Sequence, residues 1–240
     1  MIRRACLLGL AAVWLAVAGR AGVLAASTVS VTLKTEDGVN LAGTLYQPSG
    51  RNAPAVILLH MLTRSHEDWH PFALRLADAG IAALAIDLRG QGASAPGPGS
   101  GGEDLSRMLL DVKAARAFLA ARSDLAGAVG IAGASIGANL AILHAASDPT
   151  VRSIALLSAG LDYRGLRVDN AMRKYGDRPA LLLASQEDPY AARSARELAT
   201  LGTGVRELRL LNGAGHGTVM LARQPEVAVV LLDWFRRTLL

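Results

Sequence analysis

Apolar runs alternate with amphipathic stretches along most of the chain. The runs are short and continuous, which is typical of strands buried on both faces, and the stretches between them have helical periodicity. The predicted strands are 55–59, 81–86, 128–132, 153–157, 180–184 and 205–211, and the predicted helices are 69–79, 105–121, 138–146, 191–201 and 226–239. This alternation predicts an α/β fold, with a mostly parallel sheet of about eight strands and helices on both faces.

Two further strand-like segments precede this alternation. Segments 29–34 and 41–47 flank Glu36-Asp37-Gly38, which is a tight-turn signal. They predict an antiparallel hairpin at one edge of the sheet. A loop rich in glycine and proline, Arg89 to Gly102, is predicted to be the one flexible segment.

Little of the sequence is left over for a cap. About 20 residues separate the strand ending at 157 from the next strand, too few for a large helical lid. We therefore expect a minimal cap, with Gly165, Met172 and Tyr175 as candidate rim residues. An open site of this kind favours small acyl groups.

The first 26 residues have the pattern of a secretory leader. Arg3 and Arg4 form a positive start, an apolar run covers 5–19, and small residues follow at 23–26. This predicts a cleaved signal peptide, a single domain over 27–240 and an exported protein, periplasmic or secreted. The alternative is an uncleaved anchor, but an apolar run of about 15 residues is shorter than the roughly 20 that span a bilayer. No stable membrane insertion is expected after cleavage.

Composition narrows the function classes. The formal charge of +5 falls to +2 once Arg3, Arg4 and Arg20 leave with the leader, so no nucleic-acid partner is expected. Cys6, the only cysteine, also lies in the leader. The mature chain would therefore have no disulfide, no thiolate metal site and no cysteine nucleophile. The sequence leaves protein partners unknown.

The stretch Gly133-Ala134-Ser135-Ile136-Gly137 fits G-x-S-x-G between a predicted strand and a predicted helix. In that context a serine hydroxyl is presented on a tight turn, and Ser135 is the candidate nucleophile. A glycine-rich turn of this kind can also cradle a phosphate. The absence of G-x-G-x-x-G here and the position of the turn in the middle of the chain argue against that alternative.

An acid and a histidine follow at the carboxyl ends of later strands. Asp188 comes shortly after strand 180–184, and His216 lies in the loop after strand 205–211. The order serine, acid, histidine is the one that a nucleophile elbow requires. Asp188 could instead only cap the helix that follows it. Asp162, after strand 153–157, and the neighbouring Glu187 are rival acids.

Four other histidines compete with His216 as the general base, each with a simpler explanation. His60 ends a buried strand and is expected to orient the loop that follows it. His66 and His70 flank Trp69 at a predicted helix start, and His144 belongs to the helix after the elbow.

Taken in order, these motifs resemble those of the α/β-hydrolase superfamily over nearly all of the mature sequence. The matching segments are His60-Met61-Leu62, Asp87-Leu88-Arg89-Gly90-Gln91-Gly92-Ala93-Ser94, the elbow at Ser135, Asp188, and Gly215-His216-Gly217. The size and the small cap are similar to those of small esterases and dienelactone hydrolases. The chain offers serine where dienelactone hydrolases carry cysteine.

The resemblance also implies an oxyanion hole. The elbow supplies the N–H of Ile136, and the loop after the strand ending at Leu59 is expected to supply that of Leu62, with Met61 as the next candidate. Met61 stands where the family often has glycine, so the conformation of this loop is open at this stage.

The sequence therefore predicts a serine hydrolase that cleaves carboxylic esters with small acyl groups through an acyl-enzyme on Ser135. The catalytic set is Ser135, Asp188 and His216, the only predicted partner is a small-molecule ester, and neither a metal nor an organic cofactor is implied. A peptidase, thioesterase or acyltransferase with the same three residues is an alternative. A non-catalytic binding protein on a hydrolase scaffold is another.

Overall fold

A computed structural model describes residues 26–240, and the predicted leader, with Cys6, lies outside them apart from Ala26. The strands are β1 (Ser27–Lys34), β2 (Asn40–Gln47), β3 (Ala53–Leu59), β4 (Ala82–Ile86), β5 (Leu125–Ala134), β6 (Val151–Leu157), β7 (Asp162–Tyr163), β8 (Leu166–Arg167), β9 (Ala180–Ser185) and β10 (Arg206–Leu211). The helices are α1 (His70–Asp78), α2 (Leu109–Ala120), α3 (Ile136–Ser147), α4 (Asp169–Tyr175), α5 (Pro189–Leu198), α6 (Val219–Arg223) and α7 (Pro225–Leu239). None of these helices is long and apolar enough to cross a membrane.

Eight strands form one sheet in the order β1-β2-β4-β3-β5-β6-β9-β10. The pairs β1–β2 and β2–β4 are antiparallel, and the others are parallel. β3, β4 and β9 are buried along their whole length, which explains their continuous apolar sequences. The predicted mostly parallel sheet with its edge hairpin is confirmed.

Helices cover both faces of the sheet. On one face, α2, α3, α4 and α5 contribute Val112, Leu140, Met172 and Ala195 to the larger apolar cluster. On the other face, α1 and α7 contribute residues such as Phe72 to a second cluster. The parallel strands therefore end at one edge of a sheet that is supported from both sides, which gives the loops at that edge a rigid base.

The segment between β6 and β9 contains the short hairpin β7–β8 and helix α4, neither of which was predicted from the sequence. This small insertion agrees with a minimal cap. The expected rim role of Met172 and Tyr175 is wrong, because both side chains are buried and Tyr175 donates a hydrogen bond to the carbonyl of Pro179. Gly165 does lie in the exposed turn of the hairpin.

The glycine-rich loop after β4 is held in place by a buried arginine, against the expectation of a flexible segment. The Arg89 guanidinium pairs with the buried carboxylate of Asp111 at 2.7 Å and with Asp37 of the β1–β2 turn at 2.8 Å. It also donates to the carbonyl of Pro98 within the loop. Because an unpaired buried charge is costly, these contacts tie the loop to a helix and to the edge hairpin.

Candidate active site

Ser135 occupies the turn between β5 and α3 with φ 53° and ψ −116°. Residues other than glycine rarely adopt this backbone conformation. The flanking glycines make the turn possible. A Cβ at Gly137 would come 2.5 Å from the carbonyl oxygen of Leu59. The Ser135 side chain is partly exposed, and its hydroxyl makes no hydrogen bond within residues 26–240. The strand, elbow and helix predicted around Ser135 are therefore present.

Asp188 and His216, which lie 28 residues apart in the sequence, are in direct contact. Asp188 Oδ2 is 2.5 Å from His216 Nδ1, and Asp188 Oδ1 accepts a hydrogen bond from the N–H of Ala191. The carboxylate therefore caps α5 and orients the imidazole at the same time. With the proton on Nδ1 donated to Asp188, His216 Nε2 carries the free lone pair that a general base needs.

The two rival acids have other partners. Asp162 is exposed in β7, and its Oδ1 accepts from the N–H of Gly165 in the hairpin turn. Glu187 Oε2 accepts from the Ser185 hydroxyl at 2.6 Å and from the N–H of Gly213 at 2.7 Å. These hydrogen bonds, the one from Ser185 first, lower the pKa of Glu187. Neither carboxylate forms a hydrogen bond or an ion pair with His216 within residues 26–240.

Two serine side chains anchor the loop that carries His216, and no sequence pattern pointed to either of them. Ser158 at the end of β6 is the most informative, since its buried hydroxyl accepts from the N–H of Gly217 at 3.0 Å. Ser185 accepts from the N–H of Ala214 on the other side of the histidine. The imidazole therefore lies between two anchored backbone positions.

The predicted oxyanion donors lie next to Ser135 in the sequence or line the same pocket. Ile136 is the first residue of α3, where a backbone N–H has no partner within the helix. Met61 and Leu62 line the same pocket as Ser135. Met61 does not have a positive φ, so this position does not need a glycine. Its sulfur packs against Gly217, where a Cβ would come within 2.6 Å.

His60 links the loop after β3 to the loop after β4. The N–H of Leu88 donates to His60 Nε2 at 3.0 Å, so the proton must be on Nδ1, which is 2.7 Å from the carbonyl of Met61. Burial lowers the pKa of His60, which keeps the ring neutral. This geometry fits the expected orienting role.

The remaining histidines lie outside the pocket. His66 Nδ1 is 2.9 Å from the buried carboxylate of Asp87, which raises the pKa of His66. His70 contacts the Tyr46 hydroxyl at 2.9 Å. Burial lowers the pKa of His144, which lies on α3 beside Asp148.

Ser135 and His216 open into a pocket of about 290 Å³. It is lined by Met61, Leu62, Ser135, Asn139, Ser158, Gly160, Tyr163, Tyr190, Ala191 and His216. Its volume is close to the lower end of the usual range for small-molecule sites. No aspartate, glutamate, lysine or arginine is among the lining residues, so the pocket suits a small neutral group and offers no basic side chain to a phosphate.

One wall of the pocket is the segment around β7–β8, which two polar side chains hold in place. Asn139, one turn along α3 from Ser135, donates to the carbonyls of Gly160 and Leu166 and accepts from the N–H of Gly160. The Tyr190 hydroxyl donates to the carbonyl of Asp162 and accepts from its N–H. The wall is therefore fixed to the helix that carries the elbow and to the helix after Asp188.

The central part of the chain matches the model of a protein family. The model of the family described as serine aminopeptidase, S33 matches residues 50–178, more than half of the 240-residue chain. The matched range includes Ser135 and ends before Asp188 and His216. A comparison with curated proteins gave no match.

Solved structures with similar folds cover nearly the whole chain. An esterase of Pyrococcus furiosus aligns over 89% of this chain and 92% of its own, with a TM-score of 0.72 and 19% identity. A dienelactone hydrolase of Anabaena variabilis aligns over 90% and 99%, with a TM-score of 0.74 and 21% identity. A predicted CIB-like hydrolase of Thermoplasma acidophilum aligns over 88% and 99%, with a TM-score of 0.73 and 20% identity. At these identities the likeness is one of fold.

Proposed function

The chain belongs to the serine aminopeptidase S33 family of α/β-hydrolases, and from that premise we propose that it is a serine hydrolase that cleaves carboxylic esters with small acyl groups. Ser135 is the nucleophile, His216 the general base and then the general acid, and Asp188 the group that orients His216. The observation that carries this proposal is the pairing of His216 with Asp188 beside a pocket that also contains Ser135.

In the proposed mechanism His216 Nε2 accepts the proton of the Ser135 hydroxyl as the oxygen attacks the ester carbonyl. Asp188 stabilises the imidazolium that forms. The backbone N–H groups of Ile136 and Leu62 stabilise the negative charge on the carbonyl oxygen, each by about 3 kcal/mol. His216 then protonates the leaving alcohol, and a water molecule activated by the same imidazole releases the acid from Ser135.

An aminopeptidase is the second candidate, because the family description names that activity. A substrate with a free α-ammonium group needs a carboxylate or a set of carbonyls to receive the charge. No acidic side chain lines the pocket in the described part of the chain. Glu187, the acid next to Asp188 in the chain, is already bonded to Ser185 and Gly213. The lining therefore favours a neutral ester over a charged amino-acid amide.

The proposal is tested with a fluorophosphonate label and two chromogenic substrates. The wild-type protein should be labelled at Ser135 and should hydrolyse nitrophenyl butyrate much faster than an amino-acid nitroanilide. Ser135→Ala should remove the labelling while circular dichroism shows an unchanged fold. Faster turnover of the nitroanilide would favour the peptidase, and products formed with added alcohols or amines would reveal an acyltransferase.

A protein that binds esters without cleaving them is the remaining alternative. It predicts no fluorophosphonate adduct on Ser135 and no turnover of either substrate in a folded sample. The same experiment therefore separates the binding protein from both enzymes.

We also propose that the protein acts outside the cytoplasm. The support is the pattern of residues 1–26, with Arg3 and Arg4 before an apolar run and small residues at 23–26. N-terminal sequencing of exported material should begin near Ala26 or Ser27. Material that still begins at Met1 would favour an uncleaved anchor.

A further inference from the structure

The loop after β3 contains a strained residue next to a candidate oxyanion donor. Thr63 has φ 62°, in the left-handed region, where a β-branched side chain is a true outlier. It directly follows Leu62, which lines the pocket. Strain of this size persists only where surrounding contacts hold it. The question is which contacts do so.

Gln91, in the loop after β4, makes the contact that holds Thr63. Its side-chain carbonyl Oε1 accepts a hydrogen bond from the N–H of Thr63 at 2.6 Å. Its own backbone N–H donates to the carbonyl of Leu88 at 3.0 Å, which fixes the start of the side chain. The side-chain Nε2 is buried and has no partner within residues 26–240. The side-chain amide of Gln91 is therefore enclosed by packing at Nε2 as well as hydrogen-bonded at Oε1.

A second link joins the same two loops, through His60 between the N–H of Leu88 and the carbonyl of Met61. The loop at 60–64 is therefore held on the loop at 87–91 at both of its ends. With the carbonyl of Met61 and the N–H of Thr63 engaged, the N–H groups of Met61 and Leu62 make no hydrogen bond in the described part of the chain. These two residues line the pocket.

We infer that Gln91 is a positioning residue that sets the direction of the oxyanion donors through Thr63. The inference rests on the proposed function. It also accounts for Met61, at the position where the resemblance implied a glycine. The left-handed residue of this loop is Thr63 and not Met61, and a hydrogen bond from outside the loop supports it in place of a glycine. Gln91 does not line the pocket and has no contact with substrate in this assignment.

The test compares two substitutions at position 91. Gln91→Met keeps the length and loses the acceptor, whereas Gln91→Glu keeps an oxygen that can accept from Thr63. Gln91→Met should lower kcat on nitrophenyl butyrate by roughly 10- to 100-fold with KM within about twofold, because a displacement of about 1 Å at an oxyanion hole costs on that order. Gln91→Glu should recover most of this loss.

A compensating substitution at Thr63, in the loop after β3, makes the test sharper. Glycine adopts a positive φ without support, so Thr63→Gly combined with Gln91→Met should recover at least about fivefold of the lost kcat. This combined variant also keeps the inference testable if Gln91→Met alone folds poorly. A matched control is Ser94→Ala, in the same loop as Gln91. The Ser94 hydroxyl donates to the carbonyl of Asp87 and accepts from the N–H of Ala42 in β2, and it makes no hydrogen bond to Thr63. This substitution should lower the melting temperature and leave kcat within about twofold.

Each outcome decides the question. The inference is overturned if Gln91→Met retains wild-type kcat, if Gln91→Glu is as impaired as Gln91→Met, or if Ser94→Ala reproduces the same loss of kcat. Failure of the proposed function is distinguishable, because the wild-type protein would then show neither labelling of Ser135 nor ester turnover. Affinity for a trifluoromethyl ketone, which forms a tetrahedral adduct with the serine, should fall in parallel with kcat in Gln91→Met.

Discussion

Two neighbouring parallel strands of this sheet end in the same way. β5 is followed by Ser135 with φ 53° and β6 by Ser158 with φ 55°. The N–H of Ser135 donates to the last residue of β6, Leu157, and that of Ser158 donates to Leu183 in β9, both at 2.8 Å. The two positions therefore share the residue type, a positive φ and a backbone hydrogen bond to the next strand.

The surroundings of the two hydroxyl groups differ. Ser158 is 3% exposed, and its oxygen accepts the N–H of Gly217. The partly exposed oxygen of Ser135 makes no hydrogen bond within the described residues and opens into the pocket that His216 lines. A strained serine at a strand end therefore does not by itself indicate a nucleophile. A free hydroxyl beside an oriented imidazole is the distinguishing feature.

Alanine substitutions at the two serines give the largest expected contrast. Ser135→Ala should lower kcat at least about 10³-fold, since it removes the attacking oxygen. Ser158→Ala should lower kcat only about tenfold, because the loop carrying His216 loses one anchor and keeps the others. Ester turnover and fluorophosphonate labelling of the two purified variants measure both effects. A Ser158 variant as inactive as the Ser135 variant, with its fold intact, would break the comparison.

The acid that orients the imidazole gives the next largest effect. Asp188→Asn should lower kcat by roughly 10³- to 10⁴-fold, because the amide favours the wrong imidazole tautomer. Asparagine is also a good helix N-cap, so α5 should keep its start and the melting temperature should change little. Asp162→Asn is the matched control and should cost little activity. The reverse result would assign the acid to Asp162 in β7, which follows β6.

The pocket wall formed by the β7–β8 segment gives the smallest expected effect, a preference for short acyl chains. Nitrophenyl esters with acyl chains of about two to six carbons should be preferred, by roughly tenfold over long chains, because the pocket is small and the segment above it is short. Rates should be measured below the solubility limit of each ester. Faster hydrolysis of palmitoyl than of butyryl esters would show that another part of the chain covers long acyl groups.

The sequence predicted the sheet and the strand–elbow–helix at Ser135 because both depend on local patterns. Continuous apolar runs mark buried strands, and the glycines at 133 and 137 mark a close approach of strand and helix. The short elements β7, β8, α4 and α6 were missed, because strands of two residues and helices of five to seven residues are too short to show a clear periodicity. The catalytic roles of Ser135, Asp188 and His216 stay predictions.

The anchors of the site were not predictable from one sequence. Ser158 contacts a residue 59 positions away, and Gln91 contacts one 28 positions away. Neither lies in a pattern that indicates such a contact. The Arg89 network illustrates the converse, since a loop rich in glycine and proline predicted flexibility. The long-range ion pairs of Arg89 with Asp37 and Asp111 hold this loop in place instead.

The contacts of Asn139 have a consequence for how such a scaffold can diversify. Its amide bonds to Gly160 and Leu166, the two ends of the hairpin segment, and to nothing between them. The intervening turn at Arg164 and Gly165 is exposed. A longer segment can therefore replace this turn without pulling on the helix that carries the nucleophile elbow. The exposed turn is therefore the point at which an insertion can lengthen the cap while Asn139 still fixes the flanking residues to α3.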